Sequence, residues 1–152
     1  MAKVEKKTYK ALKTITGTSY TITNLESGTD YAYSVRAYGK VGGETIWGSH
    51  SVVKTATVPS TVKISSATSG SAGKVTVKWA STAATGYEIY MATGKDGQYK
   101  KIKTITKNTT TSYIKSSLKA GTTYSFIVRA YKTVGDTKLY GDFSKVKYAT
   151  VK

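Results

Sequence analysis

Along much of this chain, apolar and polar side chains alternate over short stretches. Val75, Val77 and Trp79 share one side of "KVTVKWA" (74–80), and Tyr87, Ile89 and Met91 share one side of "GYEIYMA" (86–92). A period of two marks a half-buried strand, and no stretch keeps the i, i+3, i+4 spacing of an amphipathic helix. Gly-, Ser- and Asn-rich turns punctuate the runs. From Thr61 onward the pattern predicts seven strands, at 61–67, 74–80, 86–92, 98–106, 111–115, 122–132 and 143–151, with "TSGSAG" and "GKDG" as turns. In the longest of these, Tyr124, Phe126, Val128 and Ala130 form an inward set, and Ser125, Ile127, Arg129 and Tyr131 face outward. The predicted class is all-β, with Trp79, Val75, Val77, Tyr87, Ile89, Phe126, Val128 and Ala130 as its core.

The chain also repeats itself. At an offset of 93, Leu25–Val58 aligns without gaps on Leu118–Val151, with 17 of 34 positions identical. Upstream, "YKALKTIT" from Tyr9 matches "YKKIKTIT" from Tyr99 at an offset of 90, and Met1-Ala2 falls opposite Met91-Ala92. The first copy has no counterpart of Thr61–Tyr90. Repeats of this kind define the organisation of a chain before any local reading does. Two units follow: residues 1–58, a copy without its first three strands, and residues 59–152, a complete one. Without those strands the inward set Tyr31, Tyr33, Val35 and Ala37 has no opposing sheet. The expectation is that residues 1–58 are ordered by contacts between chains.

Trp79 closing the second strand, "GYEIY" in the third, and "LKAGTTYSFIVRAY" together resemble a fibronectin type III domain. In that family a Leu precedes a turn and a Tyr follows at the corner leading into the long sixth strand. Leu118 and Tyr124 match those positions, as do Leu25 and Tyr31. The resemblance implies an immunoglobulin-like β-sandwich in which the corner phenol hydrogen-bonds the backbone of the preceding turn. The Lys- and Tyr-rich wording is similar to modules of large surface proteins of Gram-positive bacteria. It implies an extracellular or cell-surface home for the parent protein, although this sequence shows no signal peptide and no apolar run of membrane-spanning length.

Charge changes the picture more than composition does. The formal net charge is +16, carried almost wholly by lysine; the arginines are Arg36 and Arg129. Lysine is a hydrated point charge and lacks the bidentate fork that reads bases, so specific nucleic-acid recognition is not expected. Lys74 and Lys78, Lys101 and Lys103, and Lys145 and Lys147 have the spacing of solvent faces, and such edges deter sheet-to-sheet aggregation. With no cysteine, neither disulfides nor thiolate metal sites are available. His50, the single histidine, aligns with Phe143 and reads as a half-buried packing position. The eight acids are scattered, with Glu88 alone in mid-strand. No nucleophile-base-orienter set and no paired carboxylates appear, so no enzyme, metal or cofactor is expected.

The residues with binding chemistry are the outward set. Tyr90, Ile127, Arg129 and Tyr131 are expected on one exposed sheet face, and Arg36 and Tyr38 repeat the last two in the first copy. Aromatic rings beside arginine could stack on a sugar or meet a protein, but they also stabilise a sheet as cross-strand pairs. Three functions therefore compete. The leading one is a non-enzymatic structural or adhesive module of an extracellular multi-domain protein. The second is a module binding an anionic cell-wall polymer or glycan. The third is a self-assembling subunit completed by strand pairing between chains through residues 1–58.

Overall fold

A computed structural model describes residues 9–152. Met1-Ala2 and the rest of the first eight residues of the 1–58 unit lie outside the described residues. Twelve strands and no helix are present among the described residues: β1 (Asp30–Tyr33), β2 (Arg36–Val41), β3 (Glu44–His50), β4 (Lys54–Thr57), β5 (Ile64–Ser71), β6 (Lys74–Trp79), β7 (Gly86–Thr93), β8 (Lys100–Ile105), β9 (Ser112–Lys115), β10 (Thr123–Val134), β11 (Thr137–Tyr140) and β12 (Lys147–Thr150).

Strands β5 to β12 form a sandwich of two antiparallel sheets. One has the order β5-β6-β9. The other runs β11-β10-β7-β8, with β12 also on β10. Between them lie Val75, Val77, Trp79, Tyr87, Ile89, Phe126, Val128 and Ala130, all buried, joined by Val62, Ile64, Leu118, Tyr124, Ala149 and Val151. Trp79 meets Tyr87 edge-on at 5.5 Å between ring centroids. Each large side chain removed from water in such a core contributes about 1.5–3 kcal/mol, which makes this layer the main source of the domain's stability. Tyr124 sits at the corner, where its phenol oxygen accepts the Lys119 N–H at 3.4 Å.

Two strand expectations are corrected. The first strand runs Ile64–Ser71 rather than 61–67, because the hairpin to β6 closes more tightly than "TSGSAG" suggested: Ser71 pairs with Lys74, and Gly73 takes the left-handed turn at φ 66°. The last strand, expected over 143–151, is shortened to β12, and β11 ahead of it is a strand the pattern did not predict. At the break, Ser144 replaces a strand neighbour. Its N–H donates to the Val128 carbonyl at 2.8 Å, and its hydroxyl accepts the Val128 N–H at 3.0 Å. The ladder of β10 thus stays satisfied while the chain bulges outward.

The first copy rebuilds the β10–β11–β12 region almost bond for bond. Tyr31 pairs with Ala56 as Tyr124 does with Ala149, and Tyr38 pairs with Trp47 as Tyr131 does with Tyr140. Val35 and Ser51 exchange the same two bonds as Val128 and Ser144. The corner is repeated too, with the Glu26 N–H donating to the Tyr31 phenol at 2.9 Å beside a half-buried Leu25. Val58 and Pro59, both buried, join the copies, and the Ser27 hydroxyl accepts the Asp142 N–H at 2.6 Å across the junction.

What the first copy does not rebuild is equally informative. "YKALKTIT" aligns on the "YKKIKTIT" of β8, yet Tyr9–Thr16 contains no strand. β8 pairs only with β7, and β9 only with β6. The first copy has no equivalent of β6 or β7 among the described residues, so the same words have nothing to pair with. Strand propensity is realised only against a neighbour.

Replacing Tyr124 by Phe is expected to lower the stability of the sandwich by about 1 kcal/mol, because the Lys119 N–H loses its acceptor while the ring still fills its place. The midpoint of chemical denaturation of the full chain measures this.

Candidate functional site

The outer face of the β7–β10 sheet carries the molecule's densest cluster of charge and aromatic rings. Arg129 on β10 stands opposite Glu88 on β7. Its guanidinium donates to Glu88 Oε2 through Nε at 3.1 Å and through Nη2 at 2.8 Å. Lys101 on β8 reaches Glu88 Oε1 at 3.0 Å, and Lys138 on β11 approaches it at 3.9 Å. The Tyr90 phenol donates to Glu88 Oε2 at 2.9 Å while accepting from Arg129 Nη2 at 2.9 Å. Above the guanidinium lie the rings of Tyr140 at 3.8 Å, Phe143 at 5.0 Å and Tyr90 at 5.4 Å. Tyr90 and Phe143 meet edge-on at 5.0 Å.

The sequence pattern placed Tyr90, Ile127, Arg129 and Tyr131 on an exposed face, and two of them are corrected. Ile127 and Tyr131 are buried. Tyr131 lies over Gly86, its register partner, and donates its hydroxyl to the Ile105 carbonyl at 3.2 Å. A Cβ at Gly86 would collide with that carbonyl and approach the Tyr131 phenol. Glycine here makes room for the ring, which in turn covers the glycine's backbone. Tyr140 and Lys138 of β11 pack on the Tyr131 ring, and Phe143 meets Tyr90. Tyr90 and Arg129 remain partly accessible.

Glu88 is the residue that alternation overlooked. It was read as a lone mid-strand acid, yet it is fully buried and every charge in the cluster addresses it. The signal was present in the sequence: Glu88 and Tyr90 share the face that carries Arg129. Burial pushes the Glu88 carboxyl upward. The hydrogen bonds from Arg129, Lys101 and Tyr90, with the charge of Arg129, outweigh that and hold it at about 2. Burial and the bond to Glu88 raise the Tyr90 phenol, and the same carboxylate raises Lys101. A carboxylate held so firmly charged is a poor general acid. Its ion pairs link β7 to β8, β10 and β11.

In the first copy Arg36 lies 4.0 Å over the Trp47 ring, as Arg129 lies over Tyr140, and Tyr38 packs on Trp47 at 5.3 Å. His50 is corrected: it is exposed rather than half-buried, as is its counterpart Phe143, and its Nδ1 lies 3.1 Å from the Ser34 hydroxyl. Lys74, Lys78, Lys101, Lys103, Lys145 and Lys147 are all exposed. Among the described residues no three His, Asp or Glu side chains gather as a metal-binding group.

A family model described as fibronectin type III domain matches residues 57–144. The chain belongs to the fibronectin type III family. Its sequence is similar to Exoglucanase B of Cellulomonas fimi, 27% identical over 135 residues, an alignment covering 81% of this chain and 12% of that protein. The chain thus spans about an eighth of the length of this curated relative. Among solved structures, a Fn3-like protein from Clostridium thermocellum is 24% identical over 59% of this chain and 88% of its own, with a TM-score of 0.48. The FN5 domain of Drosophila Lar is 22% identical over 62% of this chain and 100% of its own, at 0.45.

The Glu88 cluster sets the response of this fibronectin type III domain to acid. An unfolded glutamate takes up its proton near pH 4.3, whereas folded Glu88 stays charged until about 2. Its stabilisation is therefore present above the unfolded value and lost as pH falls toward the folded one, amounting to roughly 3 kcal/mol. Urea titrations should show the midpoint falling between about pH 5 and pH 2. Glu88→Gln should lower stability at neutral pH by roughly 3 kcal/mol and flatten that acid slope.

Proposed function

We propose that the chain is a non-catalytic spacer module of an extracellular multi-domain protein, with residues 59–152 as one complete unit and residues 1–58 as the C-terminal half of another. The observation that carries this reading is the use to which the most reactive-looking cluster is put. Glu88 is bonded by Arg129, Lys101 and Tyr90 and fully buried, so its oxygens are not accessible to a substrate. Its similarity to a small part of Exoglucanase B, a protein many times longer, is in keeping with a unit that separates or orients other domains. The sequence's likeness to Gram-positive surface modules supports the cell-surface setting. Rigidity is what such a spacer needs, and the register lock on the outer face supplies it.

The charge of +16, spread over exposed lysine rows, supports a second reading as a module that adheres to an anionic wall polymer. Retention on insoluble glucan, on an immobilised teichoic-acid-type polymer and on heparin separates the two. The spacer reading expects no saturable retention on any of them at about 0.15 M salt. Retention on both anionic polymers that collapses as salt is raised would favour adhesion through lysine. Retention on neutral glucan that is lost with Tyr90→Ala would favour a shaped glycan site and overturn both.

A further inference from the structure

The chain passes from one unit to the next without a free residue. Units joined by an exposed linker move relative to one another by default. Here the crossing is made by Val58 and Pro59, and both are buried. Val58 is tied to the first unit: its carbonyl accepts the Gly28 N–H at 3.0 Å, and its N–H donates to the Thr29 carbonyl at 3.0 Å. Pro59 is tied to the second, its carbonyl seated where a Cβ at Gly141 would collide with it. Two further contacts flank this crossing, one reaching each way. The Ser27 hydroxyl of the first unit accepts the Asp142 N–H of the second at 2.6 Å. Ser60 of the second unit reaches back over Gly28, its Oγ 3.1 Å from where a Cβ would stand. In the repeat Ala120 stands in the position of Ser27, so the turn itself does not require that hydroxyl.

We propose that Ser27–Gly28, Val58–Ser60 and Gly141–Asp142 form a fixed joint that holds the two units at one angle, rather than a hinge between them. The inference deepens the spacer reading and rests on it for its use: a spacer so built orients the domains it separates. The geometry stands apart from that use. A hinge needs backbone torsions that turn without breaking contacts. Between the Val58 carbonyl, held by Gly28, and the Pro59 carbonyl, seated against Gly141, lie a planar peptide bond, a φ closed by the proline ring and the ψ of Pro59. Only the last can turn, and turning it lifts the Pro59 carbonyl from its seat. The residue before a proline is itself held extended, which restricts Val58 on the other side. Rotation of one unit against the other would also pull the Asp142 N–H away from Ser27 and leave it without its acceptor.

Residual dipolar couplings of the isotope-labelled full chain, aligned in a neutral stretched gel, test the joint. Amides of β1–β4 and of β5–β12 are expected to fit one alignment tensor of one magnitude. Inserting Gly-Gly between Val58 and Pro59 should lower the magnitude at β1–β4 by at least about twofold and leave β5–β12 aligned as before. Ser27→Ala should speed exchange of the Asp142 amide roughly fivefold. Carbon shifts recorded on the same samples report whether each unit is folded. Separate tensors, or a smaller magnitude at β1–β4, in the unaltered chain would overturn the proposal. So would random-coil shifts over β1–β4, since a joint needs two ordered units. Couplings indifferent to the Gly-Gly insertion, or an Asp142 amide indifferent to Ser27→Ala, would overturn it as well. Each of these results leaves a non-catalytic separator standing. Retention on the polymers named above would instead sink the spacer reading and leave the joint untouched.

Discussion

The architecture depends on backbone pairing to two strands, β6 and β7. Among the described residues β5 and β9 have no strand neighbour but β6, and β8 has none but β7; β10, the longest strand, has its inner edge satisfied by β7. Each strand exposes a row of N–H and C=O groups that needs a partner, so removing these two would leave β5, β8 and β9 unpaired and strip β10 of one edge. The chain carries both outcomes. In its second copy all these pairs form and a closed core results. In its first, the words for β8 and β9 are present without strands, and only the hairpin that needs neither β6 nor β7 survives.

This explains which structure is local and which is not. The β10–β11–β12 hairpin recurs in both copies down to the Ser144 and Ser51 bonds and the tyrosine corner, because its turns, bulge and register lie within one continuous segment. The cation–π contact of Arg129 with Tyr140 recurs as Arg36 with Trp47 for the same reason. The Glu88 contacts do not recur, since residues 1–58 hold no counterpart of Glu88, which lies 41 positions from Arg129 on a separate strand. They outweigh the cost of burying the carboxylate, and they disfavour any register that would strand it.

Alternation reads one face of a strand at a time, and that marks how far the sequence was legible. It placed Val75, Val77, Trp79, Tyr87, Ile89, Phe126, Val128 and Ala130 on the faces that the sandwich buries. It could not see that side chains of β11, Tyr140 and Lys138, pack on Tyr131, and it left Ile127 and Tyr131 exposed. Nor could it see that Ser144 would interrupt the last strand with a side-chain bond, since a serine in a polar stretch has no distinctive period. Glu88 was missed for a related reason: a single acid carries no pattern until the strand opposite it is known. The repeat was the strongest signal, because aligning the copies showed what no local reading would, that residues 1–58 hold no counterpart of Thr61–Tyr90.

Native-state amide hydrogen exchange on the full chain tests the central claim most directly, because it compares nearly identical sequences in one molecule. If pairing to β6 and β7 decides structure, amides of Tyr99–Thr106 should be protected close to the free energy of global unfolding. Those of Tyr9–Thr16 should exchange almost as fast as in an unfolded peptide. Equal protection of the two segments in the isolated monomer would contradict the account.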